Sequence, residues 1–181
     1  SAAVLDGERV LARRVEPMAR GHQERLAPLV QEVMAEAGMA FGRLDRIGVT
    51  VGPGSFTGLR VGLAFAKGLG AALGVPVVAV GVLEALAAGR PGGGVTAVAL
   101  DAKRGQVWVQ AFSDGAPLMA PDALEAPAAV ARLAELTASA PLTIVGAATD
   151  VTAAFPGAEV VTADHPDPAD VALIAAVRDP V

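Results

Sequence analysis

Apolar residues recur in this chain with two different periods, and the changes from one to the other mark out its elements. Ser1 to Leu5 alternates and breaks at Asp6-Gly7, and Glu8 to Val15 resumes the alternation, which predicts a β-hairpin. From His22 to about Ala37 the spacing lengthens to three and four. Leu26, Leu29, Val30, Val33 and Ala37 are apolar while Gln23, Glu24, Gln31, Glu32 and Glu36 are polar, the pattern of a helix with one buried face. Met34 adds an adaptable contact on that helix. Arg46 to Val51 reads as a short buried strand, Phe56 to about Gly74 as a long helix, Val75 to Val80 as a strand, and the stretch to Ala88 as a short helix.

A second series follows the Gly89-Arg-Pro-Gly-Gly-Gly94 cluster, the best candidate hinge. Val95 to Leu100 and Gln106 to Phe112 are strands around a turn at Asp101 to Gly105. A second turn, Ser113-Asp-Gly115, leads to a further short strand. A helix at Ala126 to Ala138, a strand at Leu142 to Gly146, a helix near Thr149 and a strand at Glu159 to Thr162 come next. The Pro-rich stretch after His165 opens a last helix, Ala169 to about Val177. Strand groups followed by αβαβ predict an α/β protein with helices covering its sheets. The expected division is a lobe of residues 1–90, joined by the last helix within 168–181, and a lobe of residues 91–167. The second half has three antiparallel strands where the first has two. If the halves repeat one unit, a strand ahead of Ser1 is missing and Ser1 falls in the middle of the natural chain's first hairpin.

Gly52-Pro-Gly-Ser-Phe-Thr-Gly58 crowds the step from strand to long helix. Gly52 and Gly54 allow unusual backbone, and Ser55 or Thr57 can cap the helix. A structural turn, an anion-binding turn facing phosphate with Gly52, Gly54, Ser55 and Thr57, and a catalytic Ser55 are the competing readings. The third glycine comes one place late for a dinucleotide fingerprint, no nucleotide P-loop Gly-Lys-Ser/Thr follows, and Pro53 and Thr57 occupy the glycine positions of a nucleophile elbow. Within the helix, Gly58, Gly62, Ala66, Gly70 and Gly74 recur every fourth residue, a stripe along which another backbone can approach closely. Each interior glycine costs roughly 1 kcal/mol against alanine, so the stripe needs a packing reason. Leu59, Leu63, Leu69 and Leu73 flank it. Packing on the chain's own sheet explains one such face, but not a helix that is small or apolar nearly all round.

Composition narrows the chemistry. Apolar residues make up 53% of the 181, ample for a core without staples, and there are no cysteines for disulfides or thiolate metal sites. A net charge of −5 and six aromatics (five Phe, Trp108) argue against a protein that grips nucleic acid alone. No secretory signal opens the chain, and its longest uncharged run, Gly68 to Leu83, is broken by Pro76, so neither a membrane span nor export is expected and the cytoplasm is the default. The two histidines, His22 and His165, are far apart and form no helical metal pair. Carboxylates are scattered singly. Asp101 sits at a turn with Lys103 and Arg104, for which an ion cluster is the simpler reading, and Glu84 is similarly ambiguous.

The stretch Val49 to Gly70, with His22-Gln-Glu-Arg-Leu26 before it and Val80-Gly-Val-Leu-Glu-Ala-Leu86 after it, resembles the TsaB family, also called YeaZ. The resemblance is dense over about residues 1–113 and thin beyond, where Val177-Arg-Asp-Pro matches the family's closing Leu-Arg-x-Pro loosely. It implies two ribonuclease-H-like lobes of the actin and sugar-kinase superfamily, and a first strand ending in Asp-Thr. It also implies the non-catalytic, dimerising subunit of the complex that makes threonylcarbamoyladenosine in the tRNA anticodon loop. In that family the first two helices pair with those of a second subunit. The implied interface is His22, Leu26, Leu29, Val30, Val33, Gly58, Leu59, Gly62, Leu63, Ala66 and Gly70. The implied partners are TsaD, with the ATPase TsaE, or a second copy when alone, with tRNA met only through the complex. ATP and metal are expected on the partners rather than on this chain. The similar catalytic TsaD carries two metal-binding histidines four apart, where this chain has Val82 and Leu86. The alternative is a small ATP-binding phosphotransferase or acyltransferase of the same fold, working through Ser55, Thr57 and Asp101.

Overall fold

The computed structural model describes residues 1–17, 21–90, 93–137 and 140–179. The chain divides into two units, one of Ser1–Ala85 with Asp167–Val181 and one of Leu86–Pro166. Pro91 and Gly92 of the expected hinge lie outside the described residues.

In the first unit, β1 (Ala2–Asp6) and β2 (Arg9–Arg14) form the expected antiparallel hairpin, with an irregularity between Val4 and Leu5. Helix α1 (His22–Glu36) lays Val33 and Met34 against Val4 and Ala12, a small core in which Val30 and Ala37 also pack. Next, β3 (Ile47–Thr50) runs parallel to β4 (Val77–Val80), and α2 (Phe56–Leu73) makes the crossover between them. After β4, α3 (Val82–Ala88) begins.

The chain's last helix, named α6 below, spans Pro168–Val177 and returns to this first unit. Asp167 caps its start by accepting the Ala169 amide at 2.9 Å and pairs with Arg13. Proline at the first helical position forfeits no intrahelical bond there. At its other end, Arg46 donates to the carbonyls of Ala175, Ala176 and Arg178 at 2.9, 2.8 and 3.0 Å, satisfying acceptors that a helix leaves free. Val171 and Ala175 close a second core with Val78, Val80 and Ala85.

The second unit is built on one continuous sheet. Its centre, β5 (Val95–Lys103), pairs antiparallel with β6 (Gln106–Ser113) and parallel with β9 (Leu142–Gly146). Strand β10 (Glu159–Val161) continues in parallel beyond β9, while β7 (Ala116–Pro117) and β8 (Asp122–Glu125) both pair with β6. Helices α4 (Ala126–Thr137) and α5 (Thr149–Ala154) supply Ala129, Leu133 and Val151, each fully buried against Val109 and Ile144 of the sheet. The buried side-chain amide of Gln110 donates to the Met119 carbonyl at 3.3 Å. Gly146 has φ +133°, and a Cβ there would stand 2.0 Å from the Ala99 carbonyl oxygen. That closeness lets β9 lie tightly beside β5.

Candidate functional site

The glycine turn is held at both ends by the sheet it leaves. Val51 donates to Val80 at 3.0 Å, and the Gly52 carbonyl accepts the Val82 amide at 2.7 Å. Gly52 has φ +119°, a value that favours glycine, and the Gly52–Pro53 peptide is cis. Ser55 is the helix cap, its Oγ accepting the Gly58 amide at a long 3.4 Å. The Leu59 side chain lies beneath the turn, 3.4 Å from where a Gly52 Cβ would be. Gly54, Ser55 and Thr57 are exposed, so the turn presents its hydroxyls to solvent.

Along α2 the geometry corrects one expectation. The middle of the stripe of small residues, Gly62 to Gly70, faces the unit's own sheet. A Cβ on Gly70 would meet Val77 Cγ2 at 2.6 Å and the Val75 carbonyl oxygen at 3.0 Å, and one on Gly62 would meet Val49 Cγ2 at 3.9 Å. Ala66 is only 4% exposed. The packing reason for those glycines is therefore the close approach of α2 to β3 and β4, and Ala66 and Gly70 offer no surface to another chain. On α1, Leu29 and Val33 are likewise buried, at 2% and 1% exposure, and drop out of the expected interface for the same reason. Leu26, Val30, Gly58, Gly62 and Leu63 are half-buried. The backbone of His22 starts α1; its side chain lies outside the described residues.

What α2 presents outward is a different face. Thr57, Ala64, Gly68 and Ala71 are all exposed, with Arg60 and Lys67 along the same side. At 100° per residue these six positions lie opposite Gly62, Ala66 and Gly70. At the start of the helix Phe56 is 67% exposed, and the Arg60 guanidinium sits 3.8 Å over its ring. Sequence reasoning missed this pair. Its signal was the four-residue spacing of an aromatic and an arginine on a predicted helix.

Beside α1 lies a dense ion network. Arg25 donates to Glu16 at 2.7 and 2.5 Å and to Glu32 at 2.6 and 2.8 Å, while Arg14 pairs with Glu32 and, at 3.0 Å, with Glu36. Hydrogen bonds from Arg25 hold the Glu16 and Glu32 carboxyls below the usual carboxylate range against an opposing desolvation effect, and the same bonds raise the Arg25 guanidinium further. Carboxyls depressed in the folded state stabilise it at neutral pH and lose that contribution as pH falls through their folded values. Thermal unfolding followed from pH 7 to pH 3 should therefore show a falling midpoint below about pH 4, near the ordinary carboxylate range. Arg25→Ala should flatten that fall. A cavity of about 190 Å³ adjoins the network, lined by Ser1, Arg25, Leu26, Thr50, Val61 and Gly62 among others.

The remaining candidates have structural partners. Asp101 accepts the Lys103 amide at 2.7 Å and so caps its own turn, in which Lys103 and Arg104 have positive φ; the bond it makes is to backbone, unlike the ion cluster expected. Glu84 pairs with Arg178, which also donates to the Ala79 carbonyl at 2.8 Å. His165 pairs with its neighbour Asp164. Val82 and Leu86 are buried apolar side chains on α3. Among the described residues no group of three His, Asp or Glu is disposed to hold a metal ion, and no helix is long and apolar enough to cross a membrane.

Helix-covered sheets in two units, one with the strand order β10-β9-β5-β6, define the two-lobed ribonuclease-H-like architecture of the actin and sugar-kinase (ASKHA) superfamily. The family model for TsaD, tRNA N6-adenosine threonylcarbamoyltransferase, matches residues 10–173. YeaZ from Pseudomonas aeruginosa superposes with a TM-score of 0.73 at 26% identity, covering 89% of this chain and 78% of that one. The tRNA threonylcarbamoyladenosine biosynthesis protein TsaB of Bacillus subtilis is 39% identical over 107 residues, 59% of this chain and 47% of that protein. An uncharacterised protein of Mycobacterium leprae is 38% identical over 169 residues, 93% of this chain and 44% of that protein. The chain belongs to the TsaD family and, within it, to the TsaB (YeaZ) proteins. It spans about half the length of the Mycobacterium leprae and Bacillus subtilis relatives.

Proposed function

We propose that this chain is a non-catalytic scaffold subunit in the synthesis of threonylcarbamoyladenosine in tRNA. The outer face of α2 is the observation that carries the reading. A helix already seated on its own sheet keeps a second run of small residues, Thr57, Ala64, Gly68 and Ala71, in solvent, with the Phe56–Arg60 pair at its start. Such a face admits another helix at short distance, and two basic side chains along it favour an acidic partner. The partner in this reading is TsaD, with TsaE joining the complex, and a second copy of this chain takes TsaD's place when it is alone. Transfer of the threonylcarbamoyl group to the anticodon-loop adenosine then takes place on TsaD, where ATP and metal also bind. Transfer RNA is met only through the complex, consistent with the acidic charge of this chain, and the setting is the cytoplasm.

Reconstitution tests this directly. Purified TsaD, TsaE and the adenylate-forming enzyme are incubated with an unmodified tRNA transcript, with and without this chain. Modification is expected only with it, and equal yields in both arms would overturn the reading. The exposed hydroxyls of Ser55 and Thr57 at the glycine turn favour one competing reading, a small ATP-using phosphotransferase or acyltransferase. Calorimetric titration of the isolated chain with ATP separates the two, since tight binding would support the enzyme.

A further inference from the structure

An edge strand leaves a row of backbone donors and acceptors with which another extended segment can pair, so stable proteins blunt their edges with charge, proline or brevity. Several edge strands among the described residues do this within their own sequence. β2 places Arg9, Arg13 and Arg14 in six residues, β7 is two residues long and ends in Pro117, β8 beside it carries Asp122 and Glu125, and β10 has three residues beginning with Glu159. β4 differs. It pairs with β3 on one side, and its four residues, Val77-Val-Ala-Val80, hold no charge and no proline. Uncharged runs of β-branched residues are the ones that most readily recruit a copy of themselves.

The ladder fixes which groups of β4 face outward. Ile47 donates to Pro76 and Val51 to Val80, both at 3.0 Å, so residues 76, 78 and 80 turn their carbonyls towards β3. Intervening residues point the other way, which leaves the N–H and C=O groups of Val77 and Ala79 on the outer side. A side chain from far along the sequence sits there. Arg178, just past the end of α6, donates from its guanidinium to the Ala79 carbonyl at 2.8 Å and pairs with Glu84 of α3. Its own carbonyl accepts from Arg46 at 3.0 Å, so main chain and side chain are both anchored. The guanidinium stays charged at every pH at which the protein is folded. A strand arriving at Ala79 therefore finds the acceptor taken and a fixed cation in its path.

We propose that Arg178, steered by Glu84, closes the outer edge of β4 and so keeps the β4 of a second copy from extending the sheet. Without it, two copies would align β4 antiparallel about a two-fold axis and merge their sheets. The protection is supplied in trans along the sequence because β4 lacks any of its own. This contact lies on β4 and not on the outer face of α2, so its release adds an association to whatever state that face produces.

Light scattering over a concentration series, with hydrogen exchange at the Val77 and Ala79 amides, tests this. Arg178→Ala is expected to gain apparent mass with concentration relative to the unsubstituted chain, and to slow exchange at those two amides at least about 10-fold as it does so. Arg178→Lys keeps a cationic donor and should hold the parent's mass. Asp167→Ala controls for a loosened α6: it removes the cap at the helix's other end, lowers the unfolding midpoint and leaves the mass unchanged. Adding Ala79→Pro to Arg178→Ala should restore the parent's mass, because the proline removes an N–H that faces outward and costs no bond to β3. Equal mass for Arg178→Ala and the parent at every concentration would overturn the proposal. So would the same gain in Asp167→Ala, or a gain that Ala79→Pro leaves in place. Should Arg178→Ala fail to fold, Glu84→Gln decides: it frees the guanidinium from its anchor, a gain in mass reversed by Ala79→Pro is expected, and no gain overturns the proposal.

Discussion

Replacing Gly146 with alanine should be the most damaging single-methyl change in the second unit, lowering stability by about 3–5 kcal/mol against a usual total of 5–15. Two costs coincide at this position. A φ of +133° is strained for any residue with a Cβ, a penalty of roughly 1–3 kcal/mol. The added methyl would also stand 2.0 Å from the Ala99 oxygen and 2.8 Å from its carbonyl carbon, both in backbone that cannot swing aside. Relief requires β9 to move off β5, the centre of the sheet, and overpacking of that kind costs about 1–3 kcal/mol more. Gly157→Ala is the matched control, because nothing lies within 4 Å of its Cβ position. Urea denaturation of the two variants should give midpoints far apart, and similar midpoints would mean that β9 and β5 are not so closely apposed.

The largest functional effect is expected from Gly68→Arg. Gly68 is exposed with nothing within 4 Å of its Cβ position, so the substitution meets no clash in the chain itself. Removing a mid-helix glycine even favours the helix by up to about 1 kcal/mol. On the proposed contact face, however, an arginine between Ala64 and Ala71 holds a facing helix several ångströms away. Loss of a central contact of this kind typically exceeds about 2 kcal/mol, so partner affinity should fall at least about 30-fold while the unfolding midpoint holds or rises. Calorimetric titration against TsaD and light scattering of the isolated chain give the two readouts. Gly62→Arg, by contrast, should damage the fold first, since that position faces Val49 at 3.9 Å. Unchanged affinity for Gly68→Arg would move the contact to another surface.

The contrast between Gly62 and Gly68 shows where reading the sequence ran out. Periodicity revealed that α2 is small on more than one side. It could not say which side meets the sheet, because glycine and alanine suit close packing and solvent about equally. The helix ends were more legible: Ser55 before Phe56, Gly74 after Leu73 and the Asp167-Pro168 step are local signals, and each fell where the structure has a cap. Strand β8 was missed for the opposite reason. Asp122-Ala-Leu-Glu125 has no β-branched residue and favours helix locally, and it becomes a strand through pairing with β6. The Arg46 contacts to the end of α6 join residues about 130 apart, beyond any local pattern. The glycine turn was recognisable at once, but the bond that ties its Gly52 carbonyl to the Val82 amide joins residues far apart in the sequence and has no local signal.

The course of α6 has a consequence for synthesis. Everything the second unit needs lies in one uninterrupted run, Leu86–Pro166, so it can close as soon as that run leaves the ribosome. The first unit, although translated earlier, waits for Val171 and Ala175 to cover Val78 and Val80. The half made first is the half finished last, and in the interval its uncovered strands are the part of the nascent protein that chaperones have most reason to shield.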